Sequence, residues 1–334
     1  MSAPQAPLLQ VTGLRKYFPA GRRSLWGPAC HVHAVDGVSF SLDRGETLSI
    51  VGESGCGKST VGRSILRLTP PTGGEVRLDG ERIDHLSAAR LRPLRRRMQM
   101  VFQDPFSSLN PRLTVRDIIA EPIVNFGLAR HRGELDERVA RLLDTVRLPR
   151  DAAERRPHEF SGGQRQRIGI ARALAPGAEL IVCDEAVSAL DVSVKAQIVN
   201  LLRDLQDELG LSLLFISHDL AVVEHLTHRV AVMYLGRIVE MASRDTLFAT
   251  PRHPYTRALL SAVPVPDPLA ARRRVVLSGD VPSPIDLPAG CRFRGRCPQA
   301  IARCATEDPV LRPAGPAGHL VACHLAGADD APAG

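Results

Sequence analysis

An α/β fold with a largely parallel sheet is predicted by two features: short β-branched apolar runs alternate with amphipathic stretches, and a glycine-rich junction follows one of those runs. The apolar runs are Thr47–Val51, Met98–Phe102, Leu180–Cys183 and Leu211–Ile216, which suit strands buried on both faces. Between them, Leu135 to Leu148 places Leu135, Val139, Leu142 and Val146 on one helical face. Val194, Ile198, Leu201 and Leu205 repeat that spacing further on.

The chain has 334 residues, enough for two unequal folding units. It is 44% hydrophobic and 24% charged, as in ordinary globular proteins and unlike disordered or fibrous ones. The net charge of +7 suits an anionic partner without choosing among nucleotide, nucleic acid and an acidic membrane. Met1 to Gln10 lacks a basic stretch followed by an apolar run, so no secretory signal is expected there and the chain is expected in the cytoplasm. No run reaches the roughly 18 apolar residues of a membrane-spanning helix, so membrane work would go through a partner. Seven cysteines in a reducing compartment are not expected to form structural disulfides. Near Pro251 the text turns rich in Pro, Gly and Arg, including the run Arg272–Arg274, and a domain boundary is placed there. Residues 1–250 form the first domain, 251–325 a C-terminal region and 326–334 a frayed tail.

The junction is Gly52-Glu53-Ser54-Gly55-Cys56-Gly57-Lys58-Ser59, a phosphate-binding loop between strand and helix. Its glycines let backbone N–H groups face phosphate oxygens, and the helix beginning near Lys58 adds its positive end. Lys58 is expected to bridge the β- and γ-phosphates, Ser59 to ligate Mg²⁺ and Thr60 to reach the α-phosphate. Asp184 and Glu185 follow the run ending at Cys183. Alone, such a pair reads as a helix cap. With a phosphate loop in the same chain, Asp184 is expected to hold Mg²⁺ through water and Glu185 to polarise the attacking water.

Ser161-Gly162-Gly163-Gln164, followed by Arg165-Gln166-Arg167, resembles the signature sequence of ABC ATPases. A hydroxyl and bare backbone N–H groups at a helix start would make a second anion site. The resemblance implies a P-loop NTPase fold with a RecA-like core, an antiparallel β subdomain, a helical signature subdomain and a small C-terminal cysteine-containing region. It also implies that the signature closes on the ATP of a second ATPase subunit. Gln103 matches the Q-loop, with contacts to Mg²⁺ and water; Asp191 matches the D-loop; His218 matches the switch histidine. Phe18 matches the adenine-stacking aromatic, with Tyr17 as fallback. Two departures stand out: Ala186-Val187 replaces the usual Pro-Thr or Pro-Val, and Pro19 to Cys30, with Trp26 and a basic pair, is unusually long and expected to be a loop.

Lys58 and Ser161 are 103 positions apart, too few for the long coiled coil of chromosome-associated relatives, and a single phosphate loop argues against tandem-cassette translation factors. Phe102 to Pro111, His253 to Leu260 and Gly279 to Arg296, where Pro282, Pro284 and Pro288 favour an extended path, resemble oligopeptide and dipeptide importer ATPases. That resemblance implies a second ATPase subunit, often a paralogue, two membrane permease subunits and an extracytoplasmic peptide-binding protein, at the cytoplasmic face of the membrane. Nickel and other small-solute importers use similar subunits, and a soluble, non-transport ABC ATPase is the more distant alternative. The basic run Arg90–Arg97 reads as a solvated face, and no nucleic-acid partner is expected. Cys291, Cys297, Cys304 and Cys323, spaced C-x5-C-x6-C-x18-C, suggest a ligand set for Zn²⁺ or an iron-sulfur cluster, with unligated thiols as the remaining possibility. The family resemblance implies 4Fe-4S, with Zn²⁺ as alternative. Cys56 and Cys183 read as packing residues.

Overall fold

The computed structural model describes residues 6–22, 29–262, 277, 279–315 and 318–326. Trp26, the Arg272–Arg274 run and the tail beyond Ala326 lie outside the described residues. In chain order the strands are β1 (Leu9–Arg22), β2 (Ala29–Leu42), β3 (Thr47–Val51), β4 (Gly73–Leu78), β5 (Glu81–Arg82), β6 (Met98–Val101), β7 (Leu180–Asp184), β8 (Ser212–Ser217), β9 (Arg229–Tyr234), β10 (Arg237–Ser243), β11 (Arg312–Pro313) and β12 (Leu320–Val321). The helices are α1 (Lys58–Ile65), α2 (Ala88–Arg97), α3 (Pro105–Ser108), α4 (Val115–Asn125), α5 (Arg132–Thr145), α6 (Gly162–Leu174), α7 (Val192–Leu209), α8 (Leu220–Leu226), α9 (Arg244–Ala249) and α10 (Pro254–Ser261). Pro19–Arg22 and Ala29–Cys30, expected within a loop, are strand residues. β1 continues through Pro19 as far as Arg22.

The chain divides into two compact units. The first comprises Met1–Leu9, Ser41–Thr47 and Arg77–Ser217; the second comprises Gln10–Phe40, Leu48–Val76 and His218–Gly334.

In the first unit β6, β7 and β8 run parallel, with Val101 opposite Cys183 and Cys183 opposite Phe215. β7 and β8 are buried along their whole length, as their near-continuous apolar sequences require. Helices α4, α5 and α6 pack on one another. α5 ends at Thr145 rather than Leu148, because Arg147 takes a left-handed φ of 59° and Leu148 turns its N–H back to the Leu143 carbonyl at 2.9 Å. Val139 and Leu143 are its buried positions, while Leu135 and Leu142 are only half-buried. The basic run of α2 is largely tied down within the chain. Arg97 and Arg44 alternate with Asp79 and Glu179 in a ring of four charges at 2.6–2.9 Å, and Arg96 donates to the Pro176 carbonyl.

In the second unit β3 lies parallel to β9, and β9, β10, β12 and β11 continue antiparallel in that order. β2, β1 and β4 are neighbours in another sheet. The fully buried Glu240 fixes the C-terminal residues onto β10: its carboxylate accepts the N–H groups of Arg252 and His253, at 2.7 and 2.9 Å, and faces His319 Nε2 at 2.8 Å. Such a carboxylate is tolerated inside because both of its oxygens find hydrogen-bond partners.

His253 caps α10 by accepting the Tyr255 N–H at its Nδ1, and burial pushes its pKa down from 6.5 to about 3. The folded chain therefore binds fewer protons than the unfolded one below pH 6.5, so stability present at neutral pH is lost as pH falls toward 3. A His253→Asn chain, which keeps a side-chain acceptor, is expected to lack this dependence. Denaturant titrations between pH 6.5 and 4.5 should show the unaltered chain losing about 1.4 kcal/mol per pH unit more than the variant.

Candidate functional site

β3 delivers the chain to Gly52, the loop runs to Gly57, and α1 begins at Lys58. Two glycines are obligatory. A Cβ on Gly52 would lie 2.2 Å from the Met233 carbonyl oxygen, and one on Gly57, with φ 106°, would lie 2.0 Å from that of Ala34. Lys58 is only 4% exposed, and its ammonium donates to the carbonyls of Gly52 at 2.8 Å and Glu53 at 2.9 Å. Carbonyls offset part of the cost of burying that charge, and an arriving anion would offset more. Cys56 is buried beside it, and burial raises its thiol pKa; Cys183, enclosed in β7, is pushed up to about 12. Both suit packing rather than chemistry. Ser54, Gly55, Ser59 and Thr60 complete the predicted loop and first turn.

Glu53 is held at three points. Its N–H donates to the Tyr255 hydroxyl at 2.8 Å, its carbonyl accepts from Lys58, and its carboxylate takes two hydrogen bonds from Arg296, at 2.7 and 3.0 Å. Neither Tyr255 nor Arg296 was assigned a role from sequence, though both lie in stretches that carried the family resemblance.

Phe18 and Tyr17 separate clearly. Tyr17 is half-buried, lies 4.3 Å from the His33 ring and donates its hydroxyl to Asp36. Burial raises the Asp36 pKa, but hydrogen bonds from Tyr17 and Arg292 outweigh it and hold the group at about 2. Phe18 remains exposed, with the Lys16 ammonium 4.9 Å from its ring centre. His218, also in the second unit, is exposed directly after β8.

In the first unit, Asp184 ends β7 and is 1% exposed. Glu185 follows at a φ of 50°, a left-handed conformation uncommon for glutamate, with its N–H on the Ile216 carbonyl. Its carboxylate accepts from the Gln103 amide at 3.0 Å, which brings together two residues 82 positions apart. Ser161 caps α6: its hydroxyl accepts the Gln164 N–H at 3.3 Å while Gln164 accepts the Ser161 N–H at 3.0 Å. Gly162 faces Leu190, and a Cβ on Gly163 would strike Val194 at 2.3 Å. Asp191 stands exposed at the start of α7. Two contacts not foreseen join the Q-loop to the signature helix: Arg165 covers the exposed Phe106 ring at 4.0 Å, and Arg172 donates to the Ser108 carbonyl at 2.6 Å.

The four C-terminal cysteines lie within electrostatic reach of one another. Burial, with smaller contributions from Cys304, Cys297 and Cys323, pushes Cys291 up to about 11. In kind the donors suit a thiolate-bound group, but among the described residues no three His, Cys, Asp or Glu side chains are arranged to hold a metal ion.

Residues 35–188 match the family described as ABC transporter, and residues 239–304 match the oligopeptide/dipeptide transporter, C-terminal region. The chain is 57% identical over 318 residues to the "Probable peptide ABC transporter ATP-binding protein y4tS" of Sinorhizobium fredii, covering 95% of this chain and 90% of that protein. It is 52% identical over 327 residues to the "Oligopeptide transport ATP-binding protein AppF" of Bacillus subtilis, covering 97% and 99%. Among solved structures, the dimeric post-hydrolysis state of the ATP-binding cassette MJ0796, bound to ADP and Pi, superposes with a TM-score of 0.63 at 29% identity, covering 71% of this chain and 98% of that one.

Because no side chain fits at Gly57 without displacing the Ala34 carbonyl, a Gly57→Ala chain is expected to deform the loop. Titration with a fluorescent ATP analogue should show binding weakened at least about tenfold, while far-ultraviolet circular dichroism stays close to that of the unaltered chain.

Proposed function

Since this chain belongs to the ABC transporter ATP-binding proteins that carry an oligopeptide/dipeptide transporter C-terminal region, we propose that it hydrolyses ATP to drive import of oligopeptides or dipeptides through partner membrane permeases. The observation that carries the ATPase reading is the buried Lys58 ammonium at the start of α1, under a loop in which Gly52 and Gly57 admit no side chain. In this reading Lys58 neutralises the β- and γ-phosphates, Thr60 reaches the α-phosphate, and loop N–H groups from Gly52 to Gly57 cradle the chain of phosphates. Mg²⁺ would supply neutralisation of the phosphate charge, and Ser59, Gln103 and Asp184 are the hard oxygen donors that would hold it. Glu185 orients and polarises water, with Gln103 holding its carboxylate in place. His218 stabilises the γ-phosphate, and Phe18 stacks on adenine.

Ser161, Gly162, Gly163 and Gln164 act on the triphosphate bound to a second ATPase subunit, and Asp191 faces that subunit, so each chain supplies half of each site. A dimeric relative bound to ADP and Pi supports this arrangement. Peptide-import relatives support permease and extracytoplasmic binding-protein partners; the second ATPase is read as a paralogue, and no nucleic-acid partner is assigned. Among the described residues no helix is long and apolar enough to cross a membrane, which suits a peripheral subunit at the cytoplasmic face. The functional division is placed at about residue 250, with 251–325 as the C-terminal region. The four cysteines are read as a structural 4Fe-4S site, with Zn²⁺ as the alternative; their clustering in the C-terminal sequence supports a shared ligand.

A Glu185→Gln chain is expected to bind ATP normally and to release phosphate at least about a hundredfold more slowly; an unchanged rate rejects the role given to Glu185. Anaerobic purification followed by iron, sulfide and zinc assays is expected to yield iron together with sulfide. Zinc alone selects the alternative, and colourless metal-free chain removes both.

A further inference from the structure

We propose that Arg296 is a positioning residue for nucleotide: it fixes Glu53, the second residue of the phosphate loop, and makes the cysteine-bearing segment part of the scaffold of the ATP site. The proposal rests on the ATPase reading above.

The contact is built rather than incidental. Arg296 is only 9% exposed, and its guanidinium meets both Glu53 carboxylate oxygens, at 2.7 and 3.0 Å, the two-pronged geometry in which such pairs are strongest. Its position is set by the backbone of the cysteine segment. Cys291 donates its N–H to the Cys304 carbonyl, Arg294 donates to Cys291, and Arg296 donates to Phe293, all between 2.9 and 3.1 Å. The same turn places Phe293, 2% exposed, against Tyr234 and Tyr255, with ring centres 5.2 and 5.5 Å away. Tyr255 in turn accepts the Glu53 N–H. One short turn between Cys291 and Cys297 therefore braces Glu53 twice, directly through Arg296 and indirectly through Phe293 and Tyr255.

Two physical effects follow. A loop residue pinned before the ligand arrives does not have to be ordered by it, which lowers the cost of binding. The guanidinium also offsets a carboxylate that stands in the phosphate loop and would otherwise repel the incoming anion. The second effect separates Arg296 from a residue that merely stabilises the fold, because it predicts that removing the Glu53 charge compensates for removing Arg296.

The test is a double-mutant cycle on the full chain, read as the Kd for a fluorescent ATP analogue, with thermal unfolding followed in parallel. Arg296→Ala is expected to weaken binding about tenfold, Arg296→Lys less, and Glu53→Gln in the Arg296→Ala chain to restore most of the loss. If Arg296→Ala does not fold, Arg296→Lys with and without Glu53→Gln gives the same comparison at smaller amplitude. An unchanged Kd in the arginine variants, or losses that simply add in the double variant, overturns the brace while leaving the ATPase reading intact. No nucleotide binding by the unaltered chain would remove both.

Discussion

A positive charge held inside the protein by main-chain carbonyls is the constraint around which the second unit is organised. The Lys58 ammonium sits where a strand hands over to a helix, on carbonyls from the two residues that open the loop. For the backbone to present those carbonyls and still leave N–H groups for an anion, the loop must turn more tightly than most residues allow. The walls that leave no room at Gly52 and Gly57 are the carbonyls of Met233 and Ala34, so strands β9 and β2 shape the loop as surely as its own sequence does. The first unit carries two acids of its own. Asp184 is buried at the end of a strand, and Glu185 is held in an uncommon backbone conformation with its carboxylate on Gln103.

The local part of this architecture was legible in the sequence. β3 spans Thr47–Val51 as its apolar run indicated, α1 starts at Lys58, and Ser161 caps α6. Each follows from a short-range rule: apolar runs, glycines at a turn, or a serine three residues before a glutamine. Errors arose where a local rule met a competing one. Helical periodicity carried α5 through Leu148, but the left-handed Arg147 stops it after Thr145. The unusual length of Pro19 to Cys30 suggested a loop, but β1 runs to Arg22. Phe18 and Tyr17 are indistinguishable by composition, and only the Asp36 bond shows which ring is committed elsewhere.

What sequence could not reveal is long-range pairing. Glu53 and Arg296 are separated by 243 positions, and no periodicity or spacing connects them. The same holds for Tyr255 and the Glu53 N–H, and for the ring of Arg44, Asp79, Arg97 and Glu179 that ties down the end of an apparently solvated basic run. Sequence marks such residues as chemically expressive; their partners emerge only from the fold.

Glu240 carries one more implication. Its carboxylate, shut away from water, is satisfied by two amides just ahead of α10 and by a histidine from the far end of the C-terminal region. Anyone exchanging that region between related subunits would need to move the acid and His319 as a set. A graft that kept one and lost the other would strand an ionic group in the interior, and incompatibility between parental halves would surface there even if every nucleotide-binding residue were shared.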